Sequence, residues 1–401
     1  LVDKLYVVCY DDISKGKITF TPKGVIPMAI TFNSSPKPTI GVELEIQIID
    51  PETGGLVCGA PKILERYPGE KWIKPELLES TIEINTGICD TADEVRKDLA
   101  GRLVDLQKTC EDLGYVLAMA GTHPFSVWSE QSITPNERYQ KLVDRVQWPA
   151  RRLLIFGLHV HVGVESGEKA IAIFNSLSSF LPHLLALSAS SPYWMGEDTG
   201  MASARVKVFE TLPTAGLPYR LINWAEFTRF MKTLIGAGAI SSIREVWWDL
   251  RPHPGFGTVE LRVCDGLPTL TEVVSIAAFI QALVVWLGEQ YDEGIYLPTP
   301  RHWIVRENKW RAARWSTDAR IIVDENGGQR LLTEDIEELL TKLLPVAREL
   351  RGEKEILGIR DIVRHGPSFT RQRRVFKQTG SMKSIVESLV TEMREDRPTA
   401  I

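Results

Sequence analysis

Cysteine and histidine are both scarce in this chain of 401 residues, with five of the first and seven of the second. The cysteines (Cys9, Cys58, Cys89, Cys110 and Cys264) are scattered, odd in number and form no C-x-x-C pair. That argues against a structural zinc site and for reduced thiols in a cytoplasmic protein. Positive charge is not in excess either: 47 Lys and Arg stand against 52 Asp and Glu, a net charge of −5. Nothing in that balance favours nucleic acid as a partner. The most apolar run, Val273–Leu287, is broken by Ser275 and Gln281. At about 15 residues it is too short for a bilayer, so it reads as a buried helix and no membrane partner is expected. Residues 1–27 carry Asp, Lys and Gly throughout and resemble no secretory leader. No G-x-x-x-x-G-K-[ST] loop occurs, no G-x-G-x-x-G follows a strand, and there is no G-x-S-x-G. Any bound nucleotide must therefore be held by metal and arginine rather than by a glycine cradle.

What is present is one pattern, repeated. In Gly41–Asp50, Val42, Leu44, Ile46 and Ile48 point one way while Glu43, Glu45 and Gln47 point the other. This is the period of a half-buried strand. Two carboxylates on one strand face lie about 7 Å apart and repel by roughly 2 kcal/mol at an effective dielectric of about 20. Taken alone, the segment reads equally well as a solvated edge. Three more segments repeat it. Thr81–Asn85 sets Glu83 and Asn85 against Ile82 and Ile84. Leu158–Val162 sets His159 and His161 against Leu158, Val160 and Val162. Thr258–Cys264 sets Glu260 and Arg262 against Val259, Leu261 and Val263. If the four share a sheet, one face carries four carboxylates, two imidazoles and a guanidinium, and such a face calls for divalent cations and an anion.

Elsewhere the chain alternates helices with irregular segments. Thr91 and Glu94 form a capping box ahead of Val95, Leu99, Leu103, Leu106, Cys110 and Leu113 at helical spacing. Strands are expected at 55–57, 76–85 and 115–120, and an amphipathic helix over 136–153. A long helix over 171–190 should kink or restart at Pro182. Asn223–Ala237 should be helical, and Thr269 with Glu272 opens a helix over 271–291. Further helices are expected near 333–351 and 381–395, with arginine-rich sequence before and between them. Residues 190–216 are the least regular stretch, rich in Gly, Pro and Trp and carrying Glu197, Asp198, Arg205 and Lys207, which marks them as functional.

Imidazoles at i and i+2 share a strand face, whereas a helix would need i+3 or i+4. Carboxylates outnumber histidines on the expected face, and hard oxygen ligands favour Mg²⁺ or Mn²⁺. A zinc site of three or four imidazoles would have to recruit His123 or His253. Arg262 reads either as an ion-pair partner of Glu260 or as an anion ligand. Arg205, Arg251, Arg311 and Arg314 lie where a guanidinium fork could hold carboxylate or phosphate.

Seven runs in order carry a resemblance: GVELEIQIIDPETG (41–54), ESTIEINTG (79–87), AGTHPF (120–125), LLIFGLHVHVGV (153–164), LSASSPYWMGEDTGMASARVKVFETLPTAGLP (187–218), WWDLRPHPGFGTVELRVCDG (247–266) and ENKWRAARW (307–315). Over residues 36–396 the chain resembles the bacterial type 2 glutamate–cysteine ligases, the YbdK-like carboxylate-amine ligases of the glutamine synthetase-like superfamily. One departure is Leu44, where the family carries Trp. The resemblance implies an α+β fold, a curved and mainly antiparallel sheet with helices packed on its outer face. It implies one catalytic domain over 36–396, with 1–35 an extension and 397–401 a tail. It also implies ATP and Mg²⁺ or Mn²⁺ as cofactors, and glutamate and cysteine as substrates joined through an acyl phosphate in a glutathione-type biosynthesis. A homodimer is the oligomer suggested by related folds. Carried over, Glu43, Glu45, Glu83, Glu260 and His159 are metal ligands, and His159, His161, Asn85 and Arg311 bind the nucleotide. Arg262 faces the transferring phosphoryl group, and Arg205 and Arg251 hold substrate carboxylate or phosphate. Two other readings stand beside this one. A metal-dependent hydrolase also uses His-x-His on a strand, but with more histidines than this chain supplies. A ligase fold retained as a sensor would not need the full Glu and Arg set.

Overall fold

The computed structural model describes residues 30–399. The strands expected at Leu5–Tyr10 and Ile18–Phe20 lie outside those residues. Alternation along Ile40–Ile49 makes this segment (β1) the middle of a seven-stranded sheet. The others are β2 (Ile73–Pro75), β3 (Thr81–Asn85), β4 (Val116–Ala118), β5 (Gly157–Gly163), β6 (Leu250–His253) and β7 (Thr258–Asp265). The order is β2-β3-β1-β5-β7-β6, with β4 pairing the far end of β1. Every pairing is antiparallel. The four segments singled out by their pattern are therefore adjacent. Register sets Glu45 opposite Glu83, Glu43 opposite His159, and His161 opposite Glu260. Val42, Leu44, Ile46 and Ile48 are at most 1% exposed. A slip of one residue would exchange the two faces, so burying these four fixes where the carboxylates point.

The sheet is not regular throughout. Between Leu158 and Val160 the partner of β5 jumps from Cys264 to Leu261, so β7 carries a bulge. Val263 and Cys264 are consequently both in the core. Bulges re-aim side chains beside active sites, and this one lies at Arg262.

Helices cover the apolar face. Ala92–Asp112, Gly167–Leu177, Leu181–Ser188 and Leu270–Asp292 pack on it, and Leu332–Glu349 and Glu353–His365 form a further layer on Leu270–Asp292. Both expected capping boxes are present, since Thr91 and Thr269 accept from the amides of Glu94 and Glu272. The expected long apolar helix breaks at a 3₁₀ turn, Ser178–Phe180, and restarts with Pro182 in its first turn. Proline is tolerated there because that amide has no partner anyway.

Several local expectations need correction. The helix expected over 271–291 runs Leu270–Asp292, 23 residues; the apolar run within it reads as too short for a bilayer, but by length and composition this helix and Gly167–Ser188 could cross one. Both are mostly buried in this fold, which is the place of a core helix. The segment 76–80 is a turn, and the strand begins only at Thr81. The helix over 136–153 is divided at Gln147, whose φ is +60° and which is followed by Pro149. The strand near 55–57 is a single bridge from Leu56 to Ile49. Two short helices, Ala60–Leu64 and Arg205–Phe209, and three longer ones went unread, the longer ones being His302–Trp315, Glu353–His365 and Ser368–Thr379. Their charge density suggested solvent, yet Arg371 is 2% exposed and donates to both Glu272 and Glu392. Residues 30–35 lie against the sheet's neighbours, with the Asn33 amide on the Pro254 carbonyl and Phe32 edge-on to Trp224.

Candidate active site

The polar face of the sheet opens into a cavity of about 450 Å³. Glu43, Glu45, Glu83, His159, His161, Arg205, Arg251, Glu260 and Arg262 all line it. Nine side chains from separate segments thus meet because the register aligns their strands and a short helix, Arg205–Phe209, adds one arginine.

Charge is distributed unevenly around this wall. At one end Glu260 is completely buried, yet its carboxylate stays well below the usual range. Burial alone would push it up, and the guanidinium groups of Arg251 and Arg262 outweigh that. Arg251 donates to both Glu260 oxygens (2.6 and 3.3 Å) and to the carbonyls of Ile243 and Val246 (2.8 and 2.9 Å). All its nitrogens are committed, so as placed it positions Glu260 rather than offering a fork to substrate. Arg262 also donates to Glu260, but its Nε has no partner among the described residues. In the middle, burial works against the charge of Glu43, while a 3.3 Å contact with His159 Nδ1 and the nearby His161 hold it at about 2. Burial and the neighbouring Arg262 press His159 down to about 4, so its ring is neutral near pH 7. Its Nε2 is buried without a partner among the described residues.

At the other end the carboxylates crowd. Burial raises Glu45 despite Arg205, Arg262 and the Gly157 amide. Burial, with Glu83 and Glu45 beside it, pushes Glu76 well above the usual range. Glu76 lines the cavity and was missed in the sequence because it sits in the turn before β3, where alternation carries no signal. Lys74, Arg138, Tyr139, Arg244 and His253 also line the cavity from loops or short elements. Lys74 lies 3.4 Å from Glu83, and Arg205 and Arg262 face Glu45. With Glu76 these carboxyls, and the unpartnered His159 nitrogen, are oxygen and nitrogen donors of the kind that could hold a divalent cation. Among the described residues, no group of three His, Cys, Asp or Glu is closed tightly enough to cage an ion unaided.

Two expected residues are placed elsewhere. Asn85 stands beside the wall, its amide donating to Glu83 Oε1 (2.9 Å). Arg311 is outside the cavity altogether, because an i,i+4 contact to Glu307 and the Arg320 carbonyl hold its guanidinium. His123 takes no part either. Its Nδ1 accepts from the Phe125 and Ser126 amides while Nε2 meets the Gly54 carbonyl at 2.9 Å.

Arg205 reaches the cavity through a gap left by a glycine. Its guanidinium donates to the carbonyls of Arg262 and Val263 (3.3 and 3.4 Å). A Cβ on Gly157 would lie 2.3 Å from Arg205 Nη2 and 3.1 Å from His159 Nε2. Gly157→Ala is therefore expected to cost about 1–3 kcal/mol of stability through overpacking. A denaturant midpoint unchanged from wild type would show that Arg205 is not confined there.

His123 gives a pH dependence. Burial holds its ring at about 4, below the ordinary 6.5 of the unfolded chain. The unfolded state then binds the extra proton first. The stability conferred by the neutral ring is complete above pH 6.5 and is lost as the pH falls toward 4. At pH 5 the loss is about 2 kcal/mol. Denaturant titrations at pH 7 and 5 should show a smaller drop for His123→Gln than for wild type, and equal drops would contradict this account.

Comparison with known proteins agrees with the geometry. The model of the glutamate–cysteine ligase family 2 matches residues 39–388. A Thermobifida fusca protein with the provisional name glutamate–cysteine ligase 2 is 48% identical over 377 residues, covering 92% of this chain and 94% of that protein. A Frankia alni relative, provisionally named glutamate–cysteine ligase 2-1, is 50% identical over 378 residues, covering 92% and 99%. Among solved structures, a glutamate–cysteine ligase from Francisella tularensis in complex with AMP has the same fold. Its TM-score is 0.66 at 15% identity, over 90% of each chain. A bifunctional glutathione synthetase from Pasteurella multocida matches with a TM-score of 0.65 at 14% identity, over 90% of this chain and 52% of that one. Strand register, cavity and sequence identity converge, and the chain belongs to the glutamate–cysteine ligase family 2.

Proposed function

We propose that this ligase of the glutamate–cysteine type is ATP-dependent and joins glutamate to cysteine through an acyl phosphate, acting in the cytoplasm through residues 36–396. A carboxylate oxygen of glutamate takes the γ-phosphoryl group and ADP leaves. The amine nitrogen then attacks the acyl carbon, the C–O bond to phosphate breaks, and the amide forms as the nitrogen loses a proton to a cavity carboxylate or water. Such chemistry needs alignment and charge neutralisation more than covalent help. Arg262, which lines the cavity and whose buried Nε has no partner among the described residues, is suited to the transferring phosphoryl group. Glu43, Glu45, Glu76, Glu83 and His159 would hold the divalent ions, which would supply positive charge to the phosphate oxygens. Glu260, expected among these ligands, is instead bonded to Arg251 and Arg262. The AMP in the Francisella tularensis ligase supports a nucleotide in this fold.

The observation that carries the reading is the gathering of these groups around one cavity with carboxyls crowded at one end and arginine at the other. It is tested by phosphate release over a panel of amino acids and amines with Mg²⁺ or Mn²⁺. Glutamate with cysteine is expected to give ADP, phosphate and a dipeptide. Product formed without ATP would point to a hydrolase run in reverse, and ATP bound but never turned over would point to a sensor. Chelation is expected to reduce turnover by at least about a hundredfold, with recovery on adding Mg²⁺ or Mn²⁺. Full activity in the chelated protein would remove the metal from the proposal.

A further inference from the structure

Behind the cavity wall, one buried cation touches the carriers of two site arginines. Lys309, within the ENKW run on His302–Trp315, is 2% exposed. Its ammonium lies 2.6 Å from Glu210 Oε1 and also donates to Asp249, itself 1% exposed. Each carboxylate is tied to an arginine. Glu210 ends the short helix that begins with Arg205, and its amide bonds to the Val206 and Val208 carbonyls. Asp249 immediately precedes β6 (Leu250–His253), and its carbonyl accepts the Arg262 amide at 2.7 Å, at the bulge in β7. The Asp249 amide donates to the Gly216 carbonyl at 2.8 Å. Lys309 itself does not line the cavity.

We infer that Lys309 is a positioning residue for the reaction proposed above. By holding Glu210 and Asp249 on one ammonium, it sets where Arg205 and Arg262 stand relative to each other across the cavity. The inference rests on that reading of the site. The alternative is a core lysine with satisfied partners and no bearing on turnover, since buried ion clusters can often be replaced by neutral groups without harm. Geometry separates the two: a purely structural cluster has no reason to end on the backbone of one arginine and the capping residue of another's helix. A displacement of about 1 Å in such a group reduces turnover about a hundredfold.

The test compares wild type with Lys309→Met and with the charge-neutral Lys309→Met/Asp249→Asn/Glu210→Gln, which leaves no carboxylate buried alone. Hydrogen exchange by mass spectrometry is read on peptides spanning 205–212, 259–265, β1 and β5. In both variants, exchange is expected to rise about tenfold or more in the first two peptides while β1 and β5 keep their protection. The kcat for ATP-dependent phosphate release should fall about a hundredfold, with KM for ATP within about threefold. If Lys309→Met alone does not fold, the neutral variant decides. Wild-type protection and full kcat in the neutral variant would overturn the inference, as would protection lost uniformly across the sheet. A wild type that turns over no ATP defeats the ligase reading instead, and the exchange comparison still judges the lysine.

Discussion

Arg262→Ala is expected to lower turnover by about a thousandfold or more in a protein that remains folded, since an arginine on a transferring phosphoryl group contributes that much. The side chain is 13% exposed at the wall, and only part of its donor capacity is taken, by Glu260. Removing it leaves Glu260 still bonded through both oxygens to Arg251, so no buried carboxylate is stranded. Stability should therefore change little. Arg251→Ala would behave differently, because it takes two hydrogen bonds from Glu260, leaving it to Arg262 alone, and strands the Ile243 and Val246 carbonyls together. Lysine at position 262 should not restore the rate, as a point charge cannot reproduce a planar fork. Steady-state phosphate release beside a thermal melt decides it. A folded Arg262→Ala retaining more than about a tenth of wild-type kcat would remove this arginine from the phosphoryl site.

Glu45→Gln is expected to reduce turnover about a hundred- to a thousandfold, the scale of losing one preorganised electrostatic contact. Its stability signature should run the other way. Burial raises the Glu45 carboxyl above its value in the unfolded chain, so folding costs its ionised form free energy, against the pull of Arg205 and Arg262. Glutamine removes that charge and can still accept the Gly157 amide. The variant should be as stable as wild type or up to about 1 kcal/mol more stable without divalent ions, a trade between stability and function. Added Mg²⁺ should then stabilise wild type more than the variant. Undiminished activity in Glu45→Gln would leave the carboxylate end of the cavity without the role proposed for it.

Legibility in the sequence followed regularity. β1, β3, β5 and β7 could be read because alternating side chains write both faces into the order of residues, and the two capping boxes marked helix starts for the same local reason. The helices His302–Trp315, Glu353–His365 and Ser368–Thr379 could not, because their charged residues are neutralised by partners far along the chain, as Arg371 is by Glu272 and Glu392. Arg311 looked like a phosphate ligand only until its neighbours on the helix and the Arg320 carbonyl claimed it. Glu76 stayed invisible because a turn has no period.

The sequence by itself settled which residues face away from the core on each of the four strands, since an apolar side chain at every second position leaves its neighbours no other direction. It also settled the family, through seven ordered motifs. Only the tertiary structure decided that the strands lie side by side in the order β3-β1-β5-β7, which brings carboxylates from distant segments within reach of one another. It alone decided how the arginines divide their donors: Arg251 is spent on Glu260 and two carbonyls, while Arg205 and Arg262 each keep an Nε with no partner among the described residues. Charge acts through space rather than along the chain, so its balance appears only once the fold has set the distances.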